Sequence, residues 1–160
     1  MEGLTSPPPR RPPRSLAGRL AVALATAGGV GYIPFAPGTF GTAVAVPLAW
    51  LASGAPQWGY LALCLAVTGL AIWAAAGADR AFGVHDSGRI VIDEVAGYLW
   101  TMALVDRSDP LLLLAGFVLF RLADIVKPPP ARAIDARMEG GTGVVLDDVV
   151  AGLWAAAALF

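Results

Sequence analysis

Residues Tyr60–Ala78 form a continuous run of apolar and small side chains without a charged residue. A helix that crosses a bilayer needs about 20 such residues. The whole chain is 57% hydrophobic and 14% charged, with a mean hydropathy of +0.67, whereas soluble domains average about 25% charged residues. The run and the composition together predict a membrane protein with a helix over this segment.

The chain contains six apolar runs, and none shows the sustained polar–apolar alternation that is typical of strands. The sequence therefore predicts an all-α, membrane-embedded multihelical bundle of about six helices. The runs are Leu16–Ala27, Ala43–Ala52, Tyr60–Ala78, Val95–Val105, Leu111–Leu122 and Val149–Phe160.

Three positions carry signals for the N-termini of these helices. Ser15, Thr42 and Asp109 are residue types that cap helices, and Pro110 is tolerated in a first turn. The fourth and fifth runs are each too short to cross a bilayer alone. They either form a hairpin around the polar turn Asp106–Pro110, or neighbouring residues extend them across the bilayer.

The first 14 residues contain five prolines and three arginines. This composition predicts a disordered basic tail in front of a helical domain over residues 15–160. Arginines beside the first apolar run place the tail in the cytoplasm by the positive-inside rule. The net charge of −1 argues against a nucleic-acid partner, which requires a basic surface. Cys64 is the one cysteine, so no intramolecular disulfide forms.

Two apolar stretches each contain adjacent carboxylates, VIDEVAG with Asp93 and Glu94, and LDDVVAG with Asp147 and Asp148. One charge at the centre of a membrane helix costs at least about 2.5–3.5 kcal/mol, so four unpaired charges would cost roughly 10 kcal/mol. We therefore expect the acids at the interface, in a polar pocket or beside a cation, at the N-terminal ends of their helices, where the helix dipole favours negative charge.

In both stretches an aspartate precedes a glycine by four residues, so the two lie on one helix face. A glycine on that face lets a partner helix approach closely. If the two helices cross at these glycines, the acid pairs converge and offer oxygen ligands suited to Mg²⁺ or Mn²⁺. The alternative interpretation is two independent acidic helix caps.

A third segment, FRLADIVKPPPAR, places Arg121, Asp124 and Lys127 at intervals of three, along one edge of a helix. Lys127 beside an acid cluster could contact a phosphate. A ladder of basic side chains that reach for lipid headgroups is the structural alternative.

The glycine-rich segment Gly28–Thr42 precedes an apolar run, and helix N-termini bind anions through backbone N–H groups. It lacks the P-loop pattern. His85 lies in a second glycine-containing loop, where it could orient an acid, donate a proton or have no role.

Four motifs in this order and spacing resemble the phosphatidylglycerophosphatase A family over residues 24–160: APGTFGT, GVHDSGRIVIDEVAG, FRLADIVKPPPAR and GGTGVVLDDVVAG. The resemblance implies a multihelical bundle and a Mg²⁺-dependent phosphatase of the bacterial cytoplasmic membrane. Such an enzyme converts phosphatidylglycerophosphate into phosphatidylglycerol, a precursor of cardiolipin. Its site should lie at headgroup depth and face the cytoplasm.

The family's acidic motif residues correspond to Asp86, Asp93, Glu94, Asp124, Asp147 and Asp148, with Lys127 beside them, and its glycine-rich motif corresponds to Pro37, Gly38 and Thr39. The predicted catalytic residues are Asp93, Glu94, Asp124, Lys127, Asp147 and Asp148. The predicted metal ligands are Asp93, Glu94, Asp147 and Asp148. The predicted substrate-binding residues are Gly38, Thr39, His85, Asp86, Arg121 and Lys127. The chain departs from the family at Glu139, where members often have a histidine.

The sequence leaves two reaction routes open, attack by a water activated at the metal and attack by a carboxylate that forms a phospho-aspartate. It also leaves other classes of function open. A membrane ion or proton conduit would keep carboxylates among apolar helices, and a non-catalytic protein could bind lipid phosphates. A CDP-alcohol phosphotransferase is disfavoured because its run of spaced aspartates is absent. The oligomeric state is not predicted.

Overall fold

The computed structural model describes residues 15–160, apart from the side chain of Asp135, so the predicted tail lies outside the described residues. Within that range the chain is all-α, as predicted, with two short 3₁₀ segments, Ala27–Tyr32 and Met102–Leu104. The seven α-helices are α1 (Leu16–Ala25), α2 (Pro37–Leu51), α3 (Gln57–Phe82), α4 (Ile92–Thr101), α5 (Pro110–Val126), α6 (Ala131–Arg137) and α7 (Gly140–Leu159). The additional helix relative to the expected six is α6, a short segment after the prolines that follow α5.

Hydrogen bonds between helices define the two ends of the bundle. The Val91 amide donates to the Ala25 carbonyl at 2.8 Å, which brings the end of α1 to the start of α4. The Tyr60 hydroxyl donates to the Leu99 carbonyl at 2.9 Å, so the start of α3 lies beside the end of α4. The helices α3 and α4 are therefore antiparallel. We call the end that contains the first turn of α4 the acid end, and the end that contains Gln57 the opposite end.

Two of the three predicted caps are confirmed. The Ser15 side chain accepts a hydrogen bond from the Gly18 amide, and Asp109 accepts one from the Leu111 amide in front of Pro110. The predicted cap at Thr42 is wrong, because α2 begins five residues earlier at Pro37. Thr42 lies inside the helix, where its hydroxyl donates to the Gly38 carbonyl at 2.9 Å. Pro37 and its glycine thus belong to a helical first turn rather than to a loop.

Small residues fill the interior of the bundle, and large apolar residues lie outside. Alanines of α3 such as Ala71 and Ala75 are fully buried, whereas Trp58 and Leu65 of the same helix are 77% and 63% exposed. Helices pack in this way in membranes, because small side chains allow close approach and large ones face lipid. Two helices, α3 and α7, are long and apolar enough to cross a bilayer. The chain is therefore associated with the membrane.

The second acid pair does not lie at a helix N-terminus, which corrects the expectation for Asp147 and Asp148. The helix α7 begins at Gly140, so the acids lie two turns inside it. Its first glycines pack too closely for side chains: a Cβ at Gly141 would strike the backbone of Ile72, and one at Gly143 would strike the Met138 carbonyl. This tertiary contact outweighs the low helix propensity of glycine.

Candidate active site

The helices α4 and α7 cross at the two glycines that follow the acid pairs. A Cβ at Gly152 would collide with the Gly97 carbonyl, and a Cβ at Gly97 would lie 2.6 Å from the Asp148 carbonyl oxygen. The two backbones are therefore in direct contact. Because each aspartate lies one turn before its glycine, this crossing brings the carboxylates of the two helices together.

Three carboxylates converge at the crossing, those of Asp93, Glu94 and Asp148, which we call the acid cluster. One oxygen from each lies within 4.8 Å of the others. Asp93 and Asp148 are buried, at 8% and 4% exposure. Burial raises the pKa of Asp93 to about 7 and raises the pKa of Glu94 well above its usual value. The surroundings thus disfavour the charged forms unless a cation compensates them.

Asp147, predicted as a fourth metal ligand, lies outside the group of three. Its Oδ2 atom accepts a hydrogen bond from Lys127 Nζ at 2.7 Å, and the aspartate is buried. Adjacent residues on a helix point in directions about 100° apart, so Asp147 and Asp148 face different neighbours. We therefore assign Asp147 to the lysine rather than to the acid cluster.

Two residues of α5 border the acid cluster. The Nη1 atom of Arg121 lies 2.6 Å from Asp124 Oδ2 and 3.7 Å from Glu94 Oε1. Arg121 and Asp124 thus lie on one edge of α5, as predicted, and form an ion pair. Lys127 does not lie on the same helix edge as Arg121 and Asp124, because it ends α5 in a left-handed conformation with φ of +48°. Its ammonium group contacts Asp147 instead.

The first turn of α2 closes another side of the cluster. A Cβ at Gly38 would collide with Glu94 Oε1 and would lie 3.2 Å from Arg121 Nη1. Glycine at this position therefore leaves room for both charged groups beside the helix, and a larger residue would displace the end of the Glu94 side chain. The predicted backbone anion site is only partly available, because the Thr39 amide already donates to the Ala36 carbonyl at 2.9 Å.

The structure separates His85 from the acid cluster. The His85 ring lies in a cavity of about 490 Å³ whose lining includes Asp79, Arg80 and Glu139 but no residue of the cluster. His85 Nδ1 lies 3.0 Å from Asp79 Oδ2, and this hydrogen bond raises the pKa of the histidine. We infer that His85 does not contact the same phosphate as the cluster.

Asp86 lies between these two regions. Its backbone adopts a left-handed conformation with φ of +49°, and its amide donates to Asp79 Oδ1 at 3.1 Å. The negative charge of Asp86 raises the pKa of Asp93, so this predicted residue remains electrostatically coupled to the cluster.

Asp79 is a residue that the sequence interpretation missed. One carboxylate oxygen holds the His85 ring and the other holds the Asp86 amide, so Asp79 fixes the loop that leads to the acid cluster. A sequence signal existed, since Asp79 is the first charged residue after the long apolar run of α3.

The acid cluster fits a divalent cation. Asp93 Oδ1, Glu94 Oε2 and Asp148 Oδ2 are buried and have no hydrogen-bond partner among residues 15–160. Buried carboxylate oxygens without partners are costly, and a bound cation would satisfy them. An all-oxygen ligand set suits a hard cation such as Mg²⁺.

The family described as Phosphatidylglycerophosphatase A matches residues 23–160. The phosphatidylglycerophosphatase A of Escherichia coli K12 is 35% identical over 137 residues, 86% of this chain and 80% of the relative. That of Haemophilus influenzae is 38% identical over 141 residues, 86% and 85% of the two chains.

A third relative has a different name. A putative phosphatidylinositol-3-phosphatase of Bacteroides thetaiotaomicron is 37% identical over 143 residues, 84% of this chain and 88% of the relative. No solved structure matches. The family match spans the acid cluster, Arg121, Lys127 and the first turn of α2. The chain belongs to the phosphatidylglycerophosphatase A family.

Proposed function

We propose that this chain hydrolyses the terminal phosphomonoester of phosphatidylglycerophosphate to phosphatidylglycerol and phosphate, with Mg²⁺ held by Asp93, Glu94 and Asp148. The convergence of three buried carboxylates at the crossing of α4 and α7 is the observation that carries the proposal. Family membership supports the phosphatase activity and the substrate. Bound there, Mg²⁺ would neutralise charge on the phosphoryl group and polarise its P–O bonds.

The charge of the site supports a requirement for a cation. Asp124 and Asp147 add two carboxylates to the three of the cluster, whereas Arg121 and Lys127 are the two basic residues that pair with them. Cation binding requires ionised carboxylates, and five ionised acids against two bases give the site a formal charge of −3. A phosphate group carries close to two negative charges near pH 7, so this field would repel it unless a cation is bound.

The basic residues have a second role in this proposal. Arg121 and Lys127 lie on the α5 side of the site, each held by an aspartate at 2.6 and 2.7 Å. These ion pairs fix the orientation of the guanidinium and ammonium groups before substrate arrives. Donors that are already oriented stabilise charge that develops on the phosphoryl oxygens.

The reaction requires water and two proton transfers. A water oxygen forms a bond to phosphorus while the bond from phosphorus to the glycerol oxygen breaks. One carboxylate of the site accepts one proton of the attacking water, whose second hydrogen stays on the phosphate. The carboxylate then gives its proton to the departing glycerol oxygen, which becomes the free hydroxyl of phosphatidylglycerol.

The third relative suggests a second candidate substrate. The name of that relative refers to a phosphomonoester on inositol. Such a lipid carries the same reacting group on a larger headgroup. We expect the glycerol head to be preferred, because two relatives of similar identity carry the phosphatidylglycerophosphatase name.

The test is phosphate release from the purified full chain in detergent with each of the two lipids. We expect release from phosphatidylglycerophosphate with Mg²⁺, loss with EDTA and recovery with excess Mg²⁺. Release that survives EDTA would contradict the cation site. Release from phosphatidylinositol 3-phosphate alone would show that this lipid, and not phosphatidylglycerophosphate, is the substrate. Release from neither lipid would reject the proposed phosphatase activity.

We further propose that the acid end faces the cytoplasm. Exposed arginines lie at this end or on the loops that extend from it: Arg80, Arg89, Arg132 and Arg137. The turns of the opposite end, residues 52–56 and 105–109, contain one basic residue, Arg107, which is 7% exposed. Positive charge accumulates on the cytoplasmic side of membrane proteins, so this asymmetry supports the orientation.

Cysteine labelling tests this orientation in a Cys64→Ala background. Val84 is 45% exposed on the loop before α4, and Leu104 is 56% exposed at the opposite end. A cysteine at Val84 should react with an impermeant maleimide from the cytoplasmic side alone, and one at Leu104 from the outer side alone. The reverse pattern would invert the topology.

A further inference from the structure

An apolar groove runs along the outer face of α7. It has a volume of about 190 Å³ and is lined by Val150, Leu153, Trp154 and Ala157. These residues recur at intervals of three and four, so they form one stripe on the helix. From Val150 to Ala157 the stripe extends about 10 Å along the helix axis, which is roughly two thirds of one leaflet of a hydrocarbon core about 30 Å thick.

One end of the groove lies one helical turn from the charged site. Asp147, which holds Lys127, lies three residues before Val150 and therefore one turn above it on the same side of α7. The indole of Trp154 donates to the Pro129 carbonyl at 2.9 Å, two residues after that lysine. The segment from Lys127 to Pro129 thus follows α7 from the ion pair to the groove.

Trp154 is oriented for an apolar ligand. The indole nitrogen is the one polar side-chain atom, and it already donates to the Pro129 carbonyl. The residue is 50% exposed, so the surface that the ring offers to a ligand is carbon. Long side chains on a helix lean toward its N-terminus, which directs this ring over the turn that contains Val150. A hydrocarbon chain fits such a lining, whereas a polar ligand would find no further partner in it.

We propose that this groove holds one acyl chain of the lipid substrate while its phosphate occupies the site beside Lys127. The inference rests on the proposed function and adds the position of one acyl chain of the substrate. Lipid and groove are equally apolar, so transfer of the chain from the bilayer yields little hydrophobic stabilisation. The groove instead orients the lipid, which reduces the freedom that the reacting phosphate must lose.

A tryptophan in place of Ala157 tests the groove because it shortens the far end and leaves the charged end intact. The matched control is Ala158→Trp, since Ala158 is the next residue, is also exposed and does not line the groove. Both variants are assayed with phosphatidylglycerophosphate that carries two long chains or two six-carbon chains, at the same detergent concentration. Ala157→Leu provides a smaller change if the tryptophan variant does not fold.

For Ala157→Trp we expect kcat/KM to fall about tenfold with the long-chain lipid and to be unchanged with the short-chain lipid. Ala158→Trp should match the unmodified chain with both lipids, and Ala157→Leu should show a smaller loss of the same selectivity. Equal changes with both lipids, or the same change in the control variant, would overturn the proposal that the groove holds an acyl chain. Absence of turnover by the unmodified chain with either lipid would instead reject the proposed function.

Discussion

Replacing Asp93 or Asp148 with asparagine should each nearly abolish phosphate release, by at least about 100-fold. Each aspartate supplies one of three converging oxygens, so removal of either leaves an incomplete cation site. The double variant should lose little more than the singles, because residues that act as a unit have strongly non-additive effects. Phosphate release at saturating Mg²⁺ measures all three variants.

Stability distinguishes this shared cation site from two acid pairs that bind no cation. Without cation, the buried carboxylates repel one another and lose hydration, so a neutral asparagine should leave the melting temperature equal or higher. The rise in melting temperature on addition of Mg²⁺ should shrink in each variant, since a ligand that binds the folded state stabilises it.

Asp109→Asn is the matched control, because asparagine caps a helix as well as aspartate does. Asp109 caps α5 at the opposite end of the bundle from the acid cluster. It should retain both activity and the response to Mg²⁺. Acid pairs that bind no shared cation would give the opposite pattern, in which both variants remain active, their effects on the free energy of unfolding add and Mg²⁺ has no effect.

The crossing of α4 and α7 could be predicted from the sequence because the two similar motifs, VIDEVAG and LDDVVAG, have the same spacing between an aspartate and a glycine. An aspartate one turn before a glycine fixes which face carries the acid and which point allows close approach. Both features are properties of a single helix. The long apolar run of α3 and the caps at Ser15 and Asp109 could be predicted for the same reason, since each depends on neighbouring residues alone.

The errors concern features that depend on distant contacts. Glycines favour loops by propensity, yet Gly141 is helical where the backbone of α3 packs against it. The spacing of Lys127 placed it on the helix edge that carries Asp124, yet Lys127 ends α5 with a left-handed backbone and reaches Asp147. Local propensity cannot encode such contacts, since tertiary packing overrides it.

The loop before α4 shows the same limit. His85 is adjacent in sequence to Asp86, and the sequence analysis predicts both as substrate-binding residues. In the structure Asp79 holds the histidine ring on one oxygen and the Asp86 amide on the other. The loop thus turns at Asp86, where φ is +49°, and the two side chains belong to different surroundings. A positive φ outside glycine is found most often at asparagine, aspartate and histidine, so the sequence does not distinguish Asp86 from His85 as the residue that adopts it.

Substitution of Gly152 by alanine should both destabilise the protein and remove activity. The new methyl group would fall on the carbonyl of Gly97, which belongs to a helix backbone rather than to a flexible side chain. Either α4 or α7 must therefore move. Overpacking of this kind costs about 1–3 kcal/mol or more, and a displacement of about 1 Å at a reacting centre costs roughly 100-fold in rate.

The matched control is Gly69→Ala in α3, where the added Cβ would meet nothing within 4 Å. Alanine is favoured over glycine inside a helix by roughly 0.5–1 kcal/mol, so this variant should be as stable as the unmodified chain or more stable, and fully active. Melting temperatures in detergent, with and without Mg²⁺, and phosphate release below the melting transition measure both variants. In Gly152→Ala the response to Mg²⁺ should fall together with activity, because the separated helices no longer bring Asp148 to Asp93. A Gly152→Ala protein with normal melting temperature, Mg²⁺ response and turnover would show that the close contact of the two helices does not build the site.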